Sequence, residues 1–338
     1  MKRRMLTGCL AAFGMLLLIL DAKTALSGAA EGINICLRVI LPSLFPFFIL
    51  SVLLTDSLFG MSLRVLSPLC KSLRIPSGAE SLFFIGLLGG YPVGAQAVNQ
   101  ACRRGMLSMQ DARRMMGFCS NAGPAFLFGL VASQFSYSWI PWVLWVIHIL
   151  SAIITGMLLP GDNPKNAEIQ SSKPMTISQA MERSLKIICS VCGWIILFRI
   201  VQAFMERWLL WFLPPEISVP VKLLLELANG CLALSEVQSE SLRFILCSCG
   251  LALGGICVTM QTVSVTGDLG LGMYLPGKLI QTLVSFLLSF VVLYLLPEFE
   301  TTPVLLIFAA ISLLILTFFL VFLRRIKNNS RNLQTVGV

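Results

Sequence analysis

The sequence predicts an all-α polytopic membrane protein, and three observations predict it. Of 338 residues, 57% are hydrophobic and 12% are charged, against about 25% charged in an ordinary soluble domain. The mean hydropathy is +0.86. Apolar runs of about 20 residues, enough to cross a bilayer as a helix, recur at 139–159, 187–205, 279–296 and 303–323. Eight spans follow from the whole pattern: about 5–20, 33–55, 115–133, 139–159, 187–205, 244–266, 279–296 and 301–323. Segments 81–98 and 221–235 are too short or too broken to cross, and each is read as part of a re-entrant hairpin. Such backbone is tolerated at membrane depth only where protein or a wet cavity surrounds it.

At the N-terminus Lys2, Arg3 and Arg4 precede the apolar run Met5–Leu20. A cleavable secretory signal has that form, and so does a retained first span with its basic end in the cytoplasm; the retained span is the reading taken. Leu6-Thr7-Gly8-Cys9 is not a lipoprotein site, because its Cys precedes the apolar run. Most of the 25 Lys and Arg residues then fall on the cytoplasmic side. Among them are Arg64, Lys71, Arg74, Arg103, Arg104, Arg113 and Arg114, with the tail Arg324, Arg325, Lys327 and Arg331. The +9 net charge therefore reads as topology, not nucleic-acid binding. Arg38 and Arg199 lie near span ends and are expected to snorkel. In 58–75, Arg64, Ser67, Lys71 and Arg74 share one helical face, with Leu66, Leu69, Cys70 and Leu73 on the other, which predicts an interfacial amphipathic helix. The 11 cysteines sit mostly inside apolar runs, where small apolar packing explains them. Cys189-x-x-Cys192 has no second pair or nearby His to make a metal or redox site.

The order of elements repeats. Span 33–55 leads to a Gly-rich break around Tyr91, then to the interruption Asn121-Ala122-Gly123-Pro124. Span 187–205 leads to a break around Asn229-Gly230, then to the polar stretch Gly254–Gln261. With the first set of spans running out-in, in-out, out-in and the second the reverse, the halves form an inverted repeat, the pattern that points to a midplane transport site. The domain reading is 1–32 as N-terminal span and connector, 33–159 as first repeat, and 160–186 as cytoplasmic loop. The second repeat is 187–297, and 298–338 holds the last helix and basic tail.

Candidate binding residues follow from the breaks. Gly86–Gln96 holds four Gly and Pro92 within nine residues, which no regular helix accommodates. Gly90, Tyr91, Pro92, Gly94 and Gln96 are its candidates for contact with a ligand; a tightly packed hairpin tip is the structural alternative. Ser120, Asn121, Gly123 and Pro124 interrupt an apolar span, and a half-helix starting at Pro124 would offer free N–H groups to a carboxylate or phosphate. The alternative is a simple proline kink. The second half supplies Glu226, Asn229, Gly255, Thr259 and Gln261. Glu226 is the only acid in its apolar segment, and intramembrane acids often mark a pathway. His148, the only His in the chain, falls mid-span, suited to proton coupling or to an interhelical hydrogen bond. Arg103–Asp111 reads as a helix–turn–helix connection, with Gly105 closing one helix and Ser108 capping the next.

No hydrolase elbow, P-loop, zinc cluster or dinucleotide fingerprint occurs. The expectation is a non-enzyme without cofactor or metal.

Three motifs carry a resemblance: Pro42-Ser43-Leu44-Phe45-Pro46-Phe47-Phe48, Gly90-Tyr91-Pro92-Val93-Gly94-Ala95, and Ser120–Gly129. The chain resembles the YlbJ family of sporulation integral membrane proteins, which belongs with proteins carrying the nucleoside-recognition, or Gate, domain. The resemblance covers about 33–297; it is specific in the first half and looser in the second, where Cys257 stands in place of the family's Ser. His148 matches a family His. The resemblance implies Gate-like inverted repeats, a place in the mother-cell-derived membrane around the forespore, and movement of dipicolinate during spore formation. The partners implied are the lipid bilayer, a small anionic solute, and a second copy or other sporulation membrane proteins. A nucleoside or other small-solute carrier, and a non-transporting scaffold or sensor, are the competing functions.

The charge pattern predicts both termini, and positions near 110 and 170, on the cytoplasmic side. Cysteine-accessibility labelling from each side of the membrane checks this; external labelling at position 170 in intact cells would overturn the eight-span topology.

Overall fold

The protein is described by a computed structural model covering residues 2–59, 61, 63–161, 175–296, 314, 316 and 317. Most of the predicted last span, the basic tail and most of the 160–186 loop lie outside the described residues. All regular structure among the described residues is helical.

Among the described residues, five helical stretches are long and apolar enough to cross a membrane: Ala22–Leu58, Ile140–Leu158, Ile177–Leu210, Glu240–Leu269 and Tyr274–Leu295. Two of them exceed the predicted spans the most. Ala22–Leu58 has 37 residues, about 55 Å at the α-helical rise, against a hydrocarbon core of about 30 Å. Pro42 has no N–H to return to residue 38, and a π turn, Cys36–Ile40, precedes it. The second long helix opens on a capping box. Thr176 Oγ1 accepts from the Gln179 N–H at 3.3 Å, and the Gln179 side chain accepts from the Thr176 N–H at 2.9 Å. It closes in a π turn, Glu206–Leu210. Gly28 and Gly32, four residues apart, bring the two long helices together: a Cβ on Gly28 would sit 2.8 Å from Ala203 Cβ, and one on Gly32 3.0 Å from Ile196 Cα. Small residues at this spacing allow close helix approach in lipid.

The structure departs from three expectations. Predicted span 115–133 is not a continuous helix. The chain runs Met109–Met115, then non-helical through 116–123, then Pro124–Gly129 and a 3-10 turn, Val131–Gln134. Pro124 cannot extend a helix backward and holds Gly123 extended at φ −82°, ψ 158°, so the interruption divides the segment. The first predicted span forms a helix, Lys2–Leu20, with an apolar part, Arg4–Leu20, shorter than the five spanning helices. The predicted interfacial helix shrinks to a 3-10 turn and Ser67–Ser72, whose Cys70 is buried, as is the following Leu73. That stretch anchors in the protein instead of resting on a surface.

What does recur is the element order. A long helix leads to a tight helical hairpin, then to a broken helix, then to a straight helix. The first set is Ala22–Leu58, the hairpin Glu80–Leu88 and Val93–Arg103, the broken 109–134 segment, and Ile140–Leu158. The second is Ile177–Leu210, the hairpin Pro215–Leu225 and Leu227–Leu232, the broken pair Glu240–Leu253 and Gly255–Thr266, and Tyr274–Leu295. The packing is reciprocal: long helix lies on long helix, and straight helix on straight helix. The outgoing arm of each hairpin packs on the far part of the other set's broken helix.

In the first hairpin a Cβ on Gly86 or Gly94 would collide with the Cys119 carbonyl. Gly86→Val is therefore expected to cost about 1–3 kcal/mol or more by overpacking. It should lower the thermal midpoint of the detergent-purified protein well below that of Gly193→Val, where nothing lies within 4 Å of an added Cβ. Equal midpoints would show that the hairpin does not pack as described.

Candidate functional site

The four interruptions meet. Gly90 at the tip of the first hairpin has φ +71°, a conformation that favours glycine, and a Cβ on Gly123 would stand 3.0 Å from Gly90 Cα. The two breaks of the first half thus touch backbone to backbone. In the second half Gly254 and Gly255 both have φ +78°, and a Cβ on Gly255 would sit 2.8 Å from the Leu223 carbonyl in the second hairpin. Between the two pairs lies a cavity of about 50 Å³, walled by Gly89, Gly90 and Tyr91, by Ala122 and Gly123, by Glu226, Leu227 and Ala228, and by Val258 and Gln261. Ile40, Leu44, Phe47, Phe48, Val191 and Ile195 of the two long helices complete a largely apolar lining. In this conformation the space suits one or two waters.

Two of the breaks are held by side chains that meet their exposed backbone. The Ala122 N–H donates to His148 Nε2 at 3.1 Å. Asn121 is fully buried; its Nδ2 donates to the Phe118 carbonyl at 2.8 Å, and its Oδ1 accepts from Gln281 Nε2 at 3.0 Å. Glu226, 2% exposed, is the N-cap of Leu227–Leu232. Its carboxylate accepts from the N–H groups of Ala228 (2.9 Å) and Asn229 (2.6 Å) and from Asn229 Nδ2 (2.7 Å).

Of the sequence candidates, Gly90, Tyr91, Gly123, Glu226 and Gln261 line the cavity. The others stand around it. Asn121 and His148 hold the break from behind. Ser120 is buried beside them, its hydroxyl without a partner among the described residues. Pro92 caps the outgoing arm of the hairpin, Gly94 packs on Cys119, and Gln96 is half-buried in that arm. Pro124 opens a helix of only six residues. Gly255 opens the last part of the second broken helix. Thr259 turns its hydroxyl to the Gly255 carbonyl at 2.9 Å. Asn229 faces away, into a separate recess of about 200 Å³.

That recess is ionic. Arg199 pairs with Glu31 and, at 3.0 Å, with Glu206, while Lys222 pairs with Glu206 at 3.3 Å and Glu236 at 3.0 Å. Arg199 does not snorkel; it is held by two acids on separate helices. The cysteines are all free thiols.

Three residues escaped the sequence reading. Lys278, 1% exposed, donates to Tyr91 Oη at 3.0 Å and to Gln281 Oε1 at 2.7 Å. Gln281 links it to Asn121. The predicted span 279–296 leaves Lys278 one residue outside, whereas the helix starts at Tyr274 and takes it in. Arg114 belongs to the same correction. Read as a topology-setting charge, it is 5% exposed and donates to the Leu73 carbonyl at 2.6 Å and to the Gly156 carbonyl.

Against known proteins, no family model matches the chain and no solved structure matches it significantly. A curated protein does: the sporulation integral membrane protein YlbJ of Bacillus subtilis (strain 168), 23% identical over 293 residues, covering 73% of this chain and 71% of the relative. This match bears out the resemblance to the YlbJ family. With YlbJ an integral membrane protein by name and five membrane-length helices here, the chain is a multi-pass membrane protein.

Asn121→Leu would strand the Gln281 amide and the Phe118 carbonyl, at about 1–3 kcal/mol for each unmet buried group. The purified variant is expected to melt several degrees lower while still inserting in membranes. An unchanged midpoint would show that the amide does not bridge the two halves.

Proposed function

We propose that the protein is a membrane transporter of a small organic anion, dipicolinate being the leading solute, that acts in spore formation. The observation that carries the reading is the cavity where interruptions from both halves converge. Helix breaks at matching positions in repeated halves are the usual construction of a solute site near the membrane midplane. On this reading the hairpins are re-entrant, the halves are inverted, and the small cavity belongs to a closed conformation. The sporulation role rests on the YlbJ match, whose relative carries that word in its name. The reading needs no catalytic residue, cofactor or metal, and the site would lie in the membrane around the forespore.

A second reading has an observation of its own. The Glu226 carboxylate in the wall and the apolar lining favour a neutral aromatic solute such as a nucleoside. A scaffold gains no support from the cavity, since an assembly surface does not need two breaks facing one space.

Purified protein in liposomes is expected to take up labelled dipicolinate. Tyr91→Ala in the first half and Gln261→Leu in the second should each reduce uptake at least tenfold, while the exposed Lys186→Gln leaves it unchanged. Uptake of uridine but not dipicolinate would select the second reading. Uptake of neither, by protein of native melting behaviour, would favour the scaffold.

A further inference from the structure

Among the described residues, the Lys278 amine has no acidic partner. Its ammonium is buried in the second turn of Tyr274–Leu295, and both hydrogen-bond partners, the Tyr91 hydroxyl and the Gln281 amide oxygen, are neutral. No ion pair among the described residues includes it. The faces of Tyr91 and Tyr274, with ring centres 5.1 and 5.8 Å from Nζ, add only the weak attraction of aromatic rings for a cation. Arg114 is buried to a similar degree, but its guanidinium meets backbone carbonyls near the end of Ile140–Leu158, where the helix dipole is negative. Lys278 lies toward the positive end of its own helix and has no such compensation. An ionisable group kept at this cost inside a membrane protein marks a pathway unless a structural partner explains it, and here none does.

Its position relative to the cavity gives the group a task. Tyr91 is part of the cavity wall. The Tyr91 hydroxyl accepts from Lys278 and donates a long bond, 3.3 Å, to the Leu251 carbonyl. We propose that Lys278, acting through the Tyr91 hydroxyl, is the charge by which the cavity selects a carboxylate-bearing solute. A carboxylate entering the cavity takes the hydroxyl proton in a hydrogen bond in place of Leu251. Lys278 donates to the same oxygen from behind, which strengthens the bond, and its positive charge offsets that of the solute. Glu226 also lines the cavity, with both carboxylate oxygens engaged by N–H donors. A solute carboxylate is therefore turned toward Tyr91 and away from Glu226.

This inference rests on the anion-carrier reading, so its test separates the two. Binding of pyridine-2,6-dicarboxylate (dipicolinate) and of its neutral diamide is measured on the purified full-length protein. The unmodified protein is expected to prefer the dicarboxylate at least tenfold. Lys278→Met should lower dicarboxylate affinity tenfold or more with little change for the diamide. Tyr91→Phe should do the same, and Lys278→Arg should restore most of the preference. An unchanged preference in Lys278→Met, at native melting temperature, overturns the role of Lys278 and leaves the carrier reading standing. Should that variant not fold, Tyr91→Phe decides, and an unchanged preference there overturns the relay. Failure of the unmodified protein to bind the dicarboxylate overturns both readings.

Discussion

A helix that stops inside apolar surroundings leaves backbone N–H and C=O groups with no water to meet them, and each bare group costs several kcal/mol. This protein stops helices repeatedly: at Gly89–Pro92, at 116–123, at Glu226 and at Gly254–Gly255. Its buried polar side chains are distributed accordingly. His148 takes the Ala122 N–H, Asn121 takes the Phe118 carbonyl, and Glu226 takes two consecutive N–H groups at a helix start. Arg114 meets the carbonyls of Leu73 and Gly156, where a short turn and a spanning helix end. An apolar substitute at any of these positions leaves the chain's own backbone unmet, so the polar residues are structural before they are anything else.

The same constraint draws the two breaks of each half together. Backbone exposed at a break is the place where a second element approaches closely, and glycine lets it approach. Gly123 meets Gly90, and Gly255 meets Leu223 and Leu224. Single hydrogen bonds then cross between the halves: Tyr91 to Leu251, Asn99 to Val265, Gln281 to Asn121 and Arg243 to Gln134. The cavity is what remains between surfaces that had to be brought together to satisfy the breaks.

The breaks themselves were legible in the sequence, because Gly and Pro impose them locally. Gly89-Gly90-Tyr91-Pro92 and Gly123-Pro124 leave the helix where their backbone preferences say they must, and Gly254-Gly255 does the same. The long helices were legible as apolar runs, although hydropathy underestimated Ala22–Leu58 and Ile177–Leu210, whose ends carry the polar residues that pair across the ionic recess. Partners distant in sequence were not legible. Arg114 looks like any cytoplasmic arginine until Leu73 and Gly156 arrive beside it, and Lys278 looks like the charge that ends a span. The Asn229 amide bonds the Glu226 carboxylate from the recess side, and nothing in the local pattern separates the two faces of a six-residue helix. Hydropathy is continuous across 115–133 and does not register the broken backbone at 116–123.

On the transport reading, the order of these interactions also determines how the cavity would open. Uncapping a break removes hydrogen bonds from backbone that has no other partner; Glu226 alone holds two backbone N–H groups and the Asn229 amide. Contacts between the halves include the Tyr91 to Leu251 bond, long at 3.3 Å, together with the Arg199 to Glu31 ion pair and the packing of long helix on long helix. On this reading the halves move as two bodies, each hairpin travelling with its own break. The Gly28 and Gly32 contacts bring the long helices into close and extensive packing, so any separation of the halves has to keep or slide that interface. Tyr91 lies on the surface that parts. Its hydroxyl would leave Leu251 as the halves move while keeping Lys278 only if the Tyr274–Leu295 helix travels with the first half, a pairing that the Gln281 to Asn121 bond and the close approach of Gly277 to Gly117 already favour.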